Sequence, residues 1–370
     1  MKNPLSEEEY CKRKIETNHP IRGEYFRDQT AIIHSMPFRR LKHKTQVFFA
    51  PENDHVCTRI EHVLHVATIG ASICKGLNNS GWELNSEMAY AIGLGHDLGH
   101  SPFGHAGETA LNRKLNGEFK FIHEINSLRI VDFLSNGGNG LNLTYGVRDG
   151  IINHNGEVLQ RSLKPYENVN ELEKIKDRKS IASSYEGCIV RFADKVAYLG
   201  RDIEDALIAD FISINDIPEK IRTEIGSSNG EIIDKLVIDI ITNSKNTDEI
   251  KFSDEMYEKI DILQKFNYKY IYNHPTILKY SKMGENILEE LFDYLLDLYN
   301  NFGQLYRKYE ERDLDIDNKF GIYLQRYKLV YEKEGFIPNR IVCDYIAGMT
   351  DGFALEAYKQ IKLPQSIKFL

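Results

Sequence analysis

Apolar residues recur at helical spacing along most of the chain. Residues 60–74 place them on one face of a predicted helix, which Gly76 is expected to end. Three more stretches have the same periodicity, at residues 86–94, about 186–209 and about 285–309. Asn85 or Ser86 can cap the first of these three helices. The pattern therefore predicts a mostly helical chain.

Alternation of apolar and polar residues, which is typical of β-strands, is rare in this chain. The best candidate strand is LNLTYGV, residues 141–147. Turn-forming residues dominate two segments, 135–140 and 226–231, which are expected to be loops. We therefore expect an all-α fold with at most a short β-hairpin.

The histidines divide the chain into two parts. Eleven of the twelve lie before residue 155, whereas the part after residue 210 is rich in tyrosine, lysine and glutamate. A boundary near residue 210 would separate a catalytic core with an N-terminal helical arm, residues 1–210, from a C-terminal helical region, residues 211–370. The chemistry is expected in the first part.

Composition narrows the class of protein. The chain has 370 residues, of which 42% are hydrophobic and 28% charged, as in ordinary globular proteins. No apolar run is long enough to span a membrane, and the N-terminus lacks the apolar stretch of a signal peptide. Five scattered cysteines without C-x-x-C spacing fit free thiols in a reducing cytoplasm. The net charge of −8 argues against nonspecific coating of nucleic acid as the main role.

The densest chemical signal is GLGHDLGHSPFGHAGE, residues 93–108. It contains His96, Asp97, His100, His105 and Glu108. If a helix ends near Leu98, the adjacent histidine and aspartate can bind one ion. The glycines and the proline that follow would break the helix and place His100 and His105 on a tight loop beside that ion.

Two other segments can contribute to the same site. His62 and His65 share one side of the helix before it, and His62 is the stronger candidate. The segment RFADKVAYLGRDIEDAL, residues 191–207, has a polar stripe at helical spacing. That stripe begins at Asp194, a plausible ligand that is followed by a lysine and a tyrosine.

Two imidazoles and two carboxylates make a mixed nitrogen and oxygen site. With no thiolate nearby, this favours a divalent ion such as Mg²⁺, Mn²⁺, Fe²⁺, Co²⁺, Ni²⁺ or Zn²⁺. Such an ion polarises a phosphoryl oxygen and lowers the pKa of bound water, while a free histidine moves the proton. The residues thus favour metal-assisted hydrolysis of a phosphate ester.

The order of these residues along the chain resembles the H…HD…D pattern of the HD-domain metal-dependent phosphohydrolases. A narrower resemblance, to the deoxyguanosine triphosphate triphosphohydrolase family, covers most of the chain. It rests on FRRLKHKTQVF (38–48), TRIEH (58–62), HDLGHSPFGHAGE (96–108), GLNLTYGVRDGI (140–151), ADKVAYLGRDIEDAL (193–207) and CDYIAGMTDGFA (343–354). The chain is also similar to the SAM- and HD-domain dNTP triphosphohydrolases.

The resemblance implies a fold, an activity and a catalytic set. The fold is an HD-domain helical bundle with additional C-terminal helices, which complete the nucleotide pocket and an interface of a homo-oligomer, a tetramer or a hexamer. The reaction splits a dNTP into a deoxynucleoside and inorganic triphosphate. The implied metal ligands are His62, His96, Asp97 and Asp194. The implied catalytic residues are His105, which Glu108 orients, and His100 and His123 around the α-phosphate.

The resemblance also implies a set of substrate contacts. Arg59, Lys195 and Tyr198 match positions that contact the base, the phosphates or the sugar. Gln46 matches the glutamine that binds the deoxyribose 3′-hydroxyl, and Asp202 matches an acidic partner there. A ring packed beneath the ribose can exclude a 2′-hydroxyl and so favour deoxynucleotides.

Other functions remain open on the sequence alone. One is an HD-type nucleotidase or cyclic-nucleotide phosphodiesterase, and another is a nucleotide- or DNA-binding regulator whose HD site is idle. A basic run, residues 39–44, is either a phosphate or DNA contact or a solvated helix face. A dNTP or single-stranded DNA can be an effector, and neither the base nor the physiological metal follows from the sequence.

Overall fold

The computed structural model describes residues 1–17, 21–47, 56–156 and 158–363. Within these ranges it contains eighteen α-helices and one antiparallel sheet of two short strands. The strands, β1 (Ser162–Leu163) and β2 (Ile250–Lys251), are far apart in the sequence and pair Ser162 with Lys251. The prediction of an all-α fold is confirmed.

The helices follow one another along the chain, and the longest connection, residues 153–184, lies between the eighth and the ninth. The first nine are α1 (Glu7–Cys11), α2 (Glu24–Ile33), α3 (Met36–Arg40), α4 (Arg59–Asn78), α5 (Ser86–Gly95), α6 (Gly104–Leu115), α7 (His123–Arg129), α8 (Tyr145–Ile152) and α9 (Tyr185–Ile208). The other nine are α10 (Glu219–Glu224), α11 (Asn229–Ser244), α12 (Asp254–Asn267), α13 (Pro275–Phe302), α14 (Tyr306–Glu310), α15 (Asp315–Arg326), α16 (Lys328–Lys333), α17 (Pro338–Ala347) and α18 (Asp351–Lys362). Among the described helices, none combines the length and apolar character needed to cross a bilayer.

The predicted helices form, and side chains explain where several of them begin. Thr58 and Glu61 make a capping box at the start of α4. The side chain of Asn85 accepts hydrogen bonds from two backbone N–H groups of α5, so the predicted cap is confirmed. Ser184 caps α9, which matches the predicted helix within a residue at each end. The predicted end of α4 was wrong, because Gly76 lies inside the helix, which continues to Asn78.

Two other predictions differ from the structure. Residues 141–147 do not form a strand: the last three open α8, because the buried carboxylate of Asp28 accepts hydrogen bonds from the backbone and the hydroxyl of Thr144. The long C-terminal helix begins ten residues earlier than predicted, at Pro275, where the proline sits in its first turn. It ends at Phe302, before a glycine with positive φ.

Two hydrophobic clusters form the core. The first joins α4, α5, α8 and α9 and extends through residues 211–271, and the second joins α6 to α13, α15, α17 and α18. The boundary near residue 210 stays a prediction. Helices α5 and α4 approach each other closely in the first cluster, where Gly93 lies against the backbone of Ala67. This crossing brings the middle of α4 close to the end of α5.

The crossing of α4 and α5 leads to a prediction about stability. A Cβ on Gly93 would lie 2.6 Å from the Cα of Ala67, closer than real contacts allow. Gly93→Ala should therefore push the helices apart and lower the free energy of unfolding by about 1–3 kcal/mol, measured by urea titration. Gly230→Ala is the control, since a Cβ there meets no atom within 4 Å. Equal unfolding midpoints for the two variants would contradict the prediction.

Candidate functional site

Three elements bring the four predicted metal ligands together. His62 comes from α4, His96 and Asp97 from the turn after α5, and Asp194 from α9. The Nε2 atom of His62 lies 3.0 Å from an Asp194 oxygen and 3.9 Å from an Asp97 oxygen. The Nε2 atom of His96 lies 3.5 Å from an Asp97 oxygen and 3.8 Å from an Asp194 oxygen. His62, His96 and Asp194 thus offer ligand atoms within 4.8 Å of one another, and Asp97 lies beside them in a second group with His96 and His154.

The proton on His96 is placed by its backbone contact. Its Nδ1 atom lies 2.7 Å from the carbonyl oxygen of Gly93, which can only accept, so Nδ1 carries the hydrogen. The lone pair of Nε2 then points into the cluster, and this buried atom has no hydrogen-bond partner in the described part of the chain. A buried acceptor without a donor is costly. A divalent cation would satisfy it, so these residues fit a metal ion.

Both carboxylates of the cluster are held in the ionised form. Burial would raise the pKa of Asp97, but His96, His100 and Arg59 hold it well below the usual range. Arg59 donates a hydrogen bond of 2.5 Å to this carboxylate from a fully enclosed position. Burial likewise opposes ionisation of Asp194, and the hydrogen bond from His62 lowers its pKa. Ionised oxygens are what a divalent cation requires of its ligands.

A second group of histidines lies directly beside the first. The Nε2 atom of His100 is 3.3 Å from an Asp97 oxygen, and its ring stacks on that of His123 with centroids 3.9 Å apart. His123 donates a 2.9 Å hydrogen bond to Glu108 from Nδ1. Burial would lower the pKa of His123, but the charge of Glu124 and the bond to Glu108 raise it to about 9. His123 is therefore an imidazolium at neutral pH.

His105 stands at the solvent side of this second group. Its ring centroid is 5.5 Å from that of His100 and 5.9 Å from that of His123. Its predicted place on a loop was wrong, because α6 begins at Gly104 and His105 lies in the first turn. Glu108 follows one turn later, and a ligand atom from each of His105, Glu108 and His123 falls within a common 4.8 Å. The catalytic roles of these residues stay predictions.

The predicted substrate residues on α9 lie beyond Asp194. The buried ammonium of Lys195 donates to the hydroxyl of Tyr198 and lies 4.9 Å from the centre of that ring. Asp202 is buried one turn further and accepts a 2.5 Å hydrogen bond from the hydroxyl of Tyr272. Burial raises the pKa of this aspartate to about 7. A carboxyl with a pKa close to neutral pH can accept from a hydroxyl group when it is ionised and donate to one when it is protonated.

The other two predicted substrate residues flank the start of α6. Arg59 links its Asp97 partner to the backbone oxygen of Thr45, 3.1 Å away. Gln46 follows directly, and its side-chain oxygen is buried without a hydrogen-bond partner among the described residues. An unpaired amide oxygen is a ready acceptor for a ligand hydroxyl. The end of the predicted segment 38–48, Phe48, lies outside the described residues.

Sequence reasoning missed two residues that the fold brings to the site. His154 follows α8, and its Nε2 atom is 3.9 Å from an Asp97 oxygen while Nδ1 donates to the carbonyl of Ile151. Burial lowers the pKa of His154 to about 4, so it is neutral. Arg178 comes from the segment between β1 and α9 and bridges Glu108 at 2.9 Å and Glu124 at 2.7 Å. Only the concentration of histidines before residue 155 pointed to His154, and no local spacing pointed to Arg178.

Two protein-family models match this chain, and both describe phosphohydrolase-type domains. The model of the HD domain matches residues 59–199, which contain the four candidate ligands and the second histidine group. The model of the phosphohydrolase-associated domain matches residues 250–320 and 322–360. The matched ranges therefore span both parts of the chain.

Three relatives, each named deoxyguanosinetriphosphate triphosphohydrolase-like protein, align over nearly the whole chain. The protein from Caldanaerobacter subterraneus subsp. tengcongensis is 37% identical over 97% of this chain and 91% of its own length. That from Desulfatibacillum aliphaticivorans is 35% identical over 95% and 91%, and that from Clostridium perfringens strain 13 is 35% identical over 99% and 94%. The chain therefore belongs to the HD-domain phosphohydrolases, in the family of deoxyguanosinetriphosphate triphosphohydrolase-like proteins.

Proposed function

We propose that this protein hydrolyses deoxynucleoside triphosphates to a deoxynucleoside and inorganic triphosphate. The observation that carries the proposal is the contact between the four-ligand cluster and the histidine group through Asp97 and His100. It puts a metal site next to groups that can hold and move protons. The names of the relatives support the same reaction class.

The metal ligands would be His62, His96, Asp97 and Asp194. A divalent ion bound there, whether Mn, Mg, Fe, Co, Ni or Zn, would stabilise charge on a phosphate oxygen and lower the pKa of a bound water. The protein itself contributes the orientation of the ligands. The carbonyl of Gly93 holds the ring of His96 in place, and Arg59 holds the carboxylate of Asp97.

Positive groups around the cluster suit a triphosphate. Arg59, Lys195 and the imidazolium of His123 supply donors for phosphate oxygens. Glu108 and Glu124 keep His123 protonated, so its charge is present across the neutral pH range. His105, with its exposed ring, can transfer a proton at the ester oxygen of the departing deoxynucleoside.

The residues beyond Asp194 suit a deoxyribose. Asp202 and the amide oxygen of Gln46 offer a donor and acceptor pair for a 3′-hydroxyl. The ring of Tyr198 lies on the same helix one turn before Asp202 and offers a flat surface to the sugar.

The proposal also includes assembly of the chain into a tetramer or hexamer. It further includes activation by a dNTP or by single-stranded DNA.

The products of the reaction test the function. With Mn²⁺ or Mg²⁺, the protein should convert at least one of the four dNTPs into equal amounts of deoxynucleoside and triphosphate, measured by ion-exchange chromatography. The four NTPs should be poor substrates, and assays in pairs would reveal activation of one hydrolysis by another nucleotide. Release of orthophosphate would favour a nucleotidase, and a lack of turnover with every nucleotide and metal would favour a regulator with an idle site.

Substitution of a ligand should remove the metal. Asp194→Asn keeps the size of the side chain but removes the charge opposite His62, so metal affinity should fall at least about tenfold and turnover with it. Elemental analysis after dialysis measures the bound metal. Glu204→Gln, on an exposed part of the same helix, is the control. Undiminished metal content in Asp194→Asn would remove this residue from the ligand set.

Substitution of His105 should separate chemistry from metal binding. His105→Ala should lower kcat by roughly 10²–10⁴-fold, the usual contribution of a positioned proton donor. Metal content should stay unchanged and KM should change little, because the group acts in the transition state. His34→Ala, an exposed histidine just after α2, is the matched control. Normal turnover in His105→Ala would shift the role to His100 or His123.

A further inference from the structure

The turn between Asp97 and α6, residues 99–104, has a strained backbone. Phe103 adopts the left-handed conformation, with φ 60° and ψ 22°, and the next residue, Gly104, also has positive φ. A bulky residue rarely adopts this conformation, because its side chain crowds the backbone. Such strain persists only where neighbouring contacts impose it. This turn contains His100 and directly precedes His105.

The first residue of the turn is held by α7. Ser127 accepts a 2.8 Å hydrogen bond from the N–H of Gly99, and Asn126 donates a 2.7 Å bond to its carbonyl oxygen. Both partners belong to the HD domain itself. The rest of the turn has different neighbours.

The strained residue is held by the C-terminal helices. The N–H of Phe103 donates to one oxygen of Asp351, the first residue of α18, at 3.1 Å. The other oxygen of this carboxylate accepts hydrogen bonds from the N–H and the hydroxyl of Thr45. The ring of Phe103 packs on Gly284 of α13, where a Cβ would lie 2.8 Å from the ring. Asp351 is itself buried.

A buried lysine binds the same turn at its second residue, His100. The ammonium of Lys44 donates to the carbonyl oxygen of His100 and to that of Ala347, the last residue of α17, 2.9 Å away. No carboxylate among the described residues forms an ion pair with it, and burial followed by the charge of Arg40 lowers its pKa to about 7. An apolar side chain here would leave both carbonyl oxygens without this donor. The lysine therefore ties the backbone of the turn to the end of α17.

We propose that Lys44 and Asp351 are positioning residues, which join the turn 99–104 to the C-terminal helices and so set the positions of His100 and His105. The effect on turnover rests on the proposed function. We call these two residues and Thr45 the turn clamp. The phosphohydrolase-associated region then contributes to catalysis by shaping a turn of the HD domain.

Backbone contacts account for two of the four arginine and lysine side chains in the basic run at residues 39–44. Lys44 binds two carbonyls, and Arg40 donates a 2.8 Å hydrogen bond to the carbonyl of Gly348, next to Ala347. Both side chains therefore bind carbonyls at the C-terminal end of α17, and Lys44 also binds the turn. Of the four arginine and lysine side chains in the run, Arg39 and Lys42 are exposed and remain candidates for a phosphate or DNA contact.

The test compares Lys44→Met with Lys75→Met in the full-length protein. The first removes the ammonium and keeps the length of the side chain, and the second makes the same change at an exposed lysine in the last turn of α4, to which no role is assigned. Hydrogen exchange of the amides at residues 99–106, measured by mass spectrometry without substrate, should be faster in Lys44→Met only. Its kcat should fall roughly 10²-fold, as an ångström-scale misplacement of catalytic groups does. KM and metal content should change little.

Asp351→Asn is the second variant, in case Lys44→Met fails to fold. It should also speed exchange in the turn and lower kcat, and in the double variant the two effects on kcat should not multiply, because both residues act on one turn. Normal exchange and normal kcat in both single variants would overturn the proposal, as would faster exchange with normal kcat. If the wild-type protein turns over no nucleotide, the proposed function fails, while the exchange experiment still tests whether the turn clamp holds the turn.

Discussion

The site depends on a negative charge that is buried at Asp97. Asp97 is buried in the helical core, where an unpaired charge would be very costly, and Asp194 lies beside it with 14% of its side chain exposed. Arg59 compensates the charge of Asp97 with a short hydrogen bond, and histidines from three different elements surround the two carboxylates. Because breaking such a pair strands a charge in the interior, the helices that bear these groups must meet in one arrangement. The tight crossing of α4 and α5 at Gly93 is part of that arrangement.

The surroundings give the histidines different chemical states. His96 and His154 each donate from Nδ1 to the backbone carbonyl three residues before, which leaves Nε2 as an acceptor facing the aspartates. His123 has two glutamates within 3.4 Å and is protonated. Neutral imidazoles can bind a cation, whereas an imidazolium repels it and attracts phosphate. One compact group of rings thus contains both neutral imidazoles, which suit a cation, and an imidazolium, which suits an anion.

The second hydrophobic cluster is coupled to the first at the turn formed by residues 99–104. Helices α13 and α18 belong to the second cluster and contact Phe103, whose strained backbone needs fixed neighbours. In the first cluster, α4 and α9 carry two of the four candidate metal ligands, His62 and Asp194. A site built in this way requires both parts of the chain to be folded. This agrees with relatives that align over nearly the whole length of the chain.

Apolar periodicity in the sequence predicts the helical class and the main helices, because this pattern is a local property of the chain. The family and the four candidate ligands, which span residues 62 to 194, come instead from the order of short motifs along the chain and the resemblance that those motifs carry. Tertiary structure decided the rest. Residues 141–147 form no strand because the distant Asp28 binds the backbone there. His154, Arg178 and Lys44 reach the site from segments that pair only after folding, so their burial and charged partners depend on contacts that no local spacing encodes.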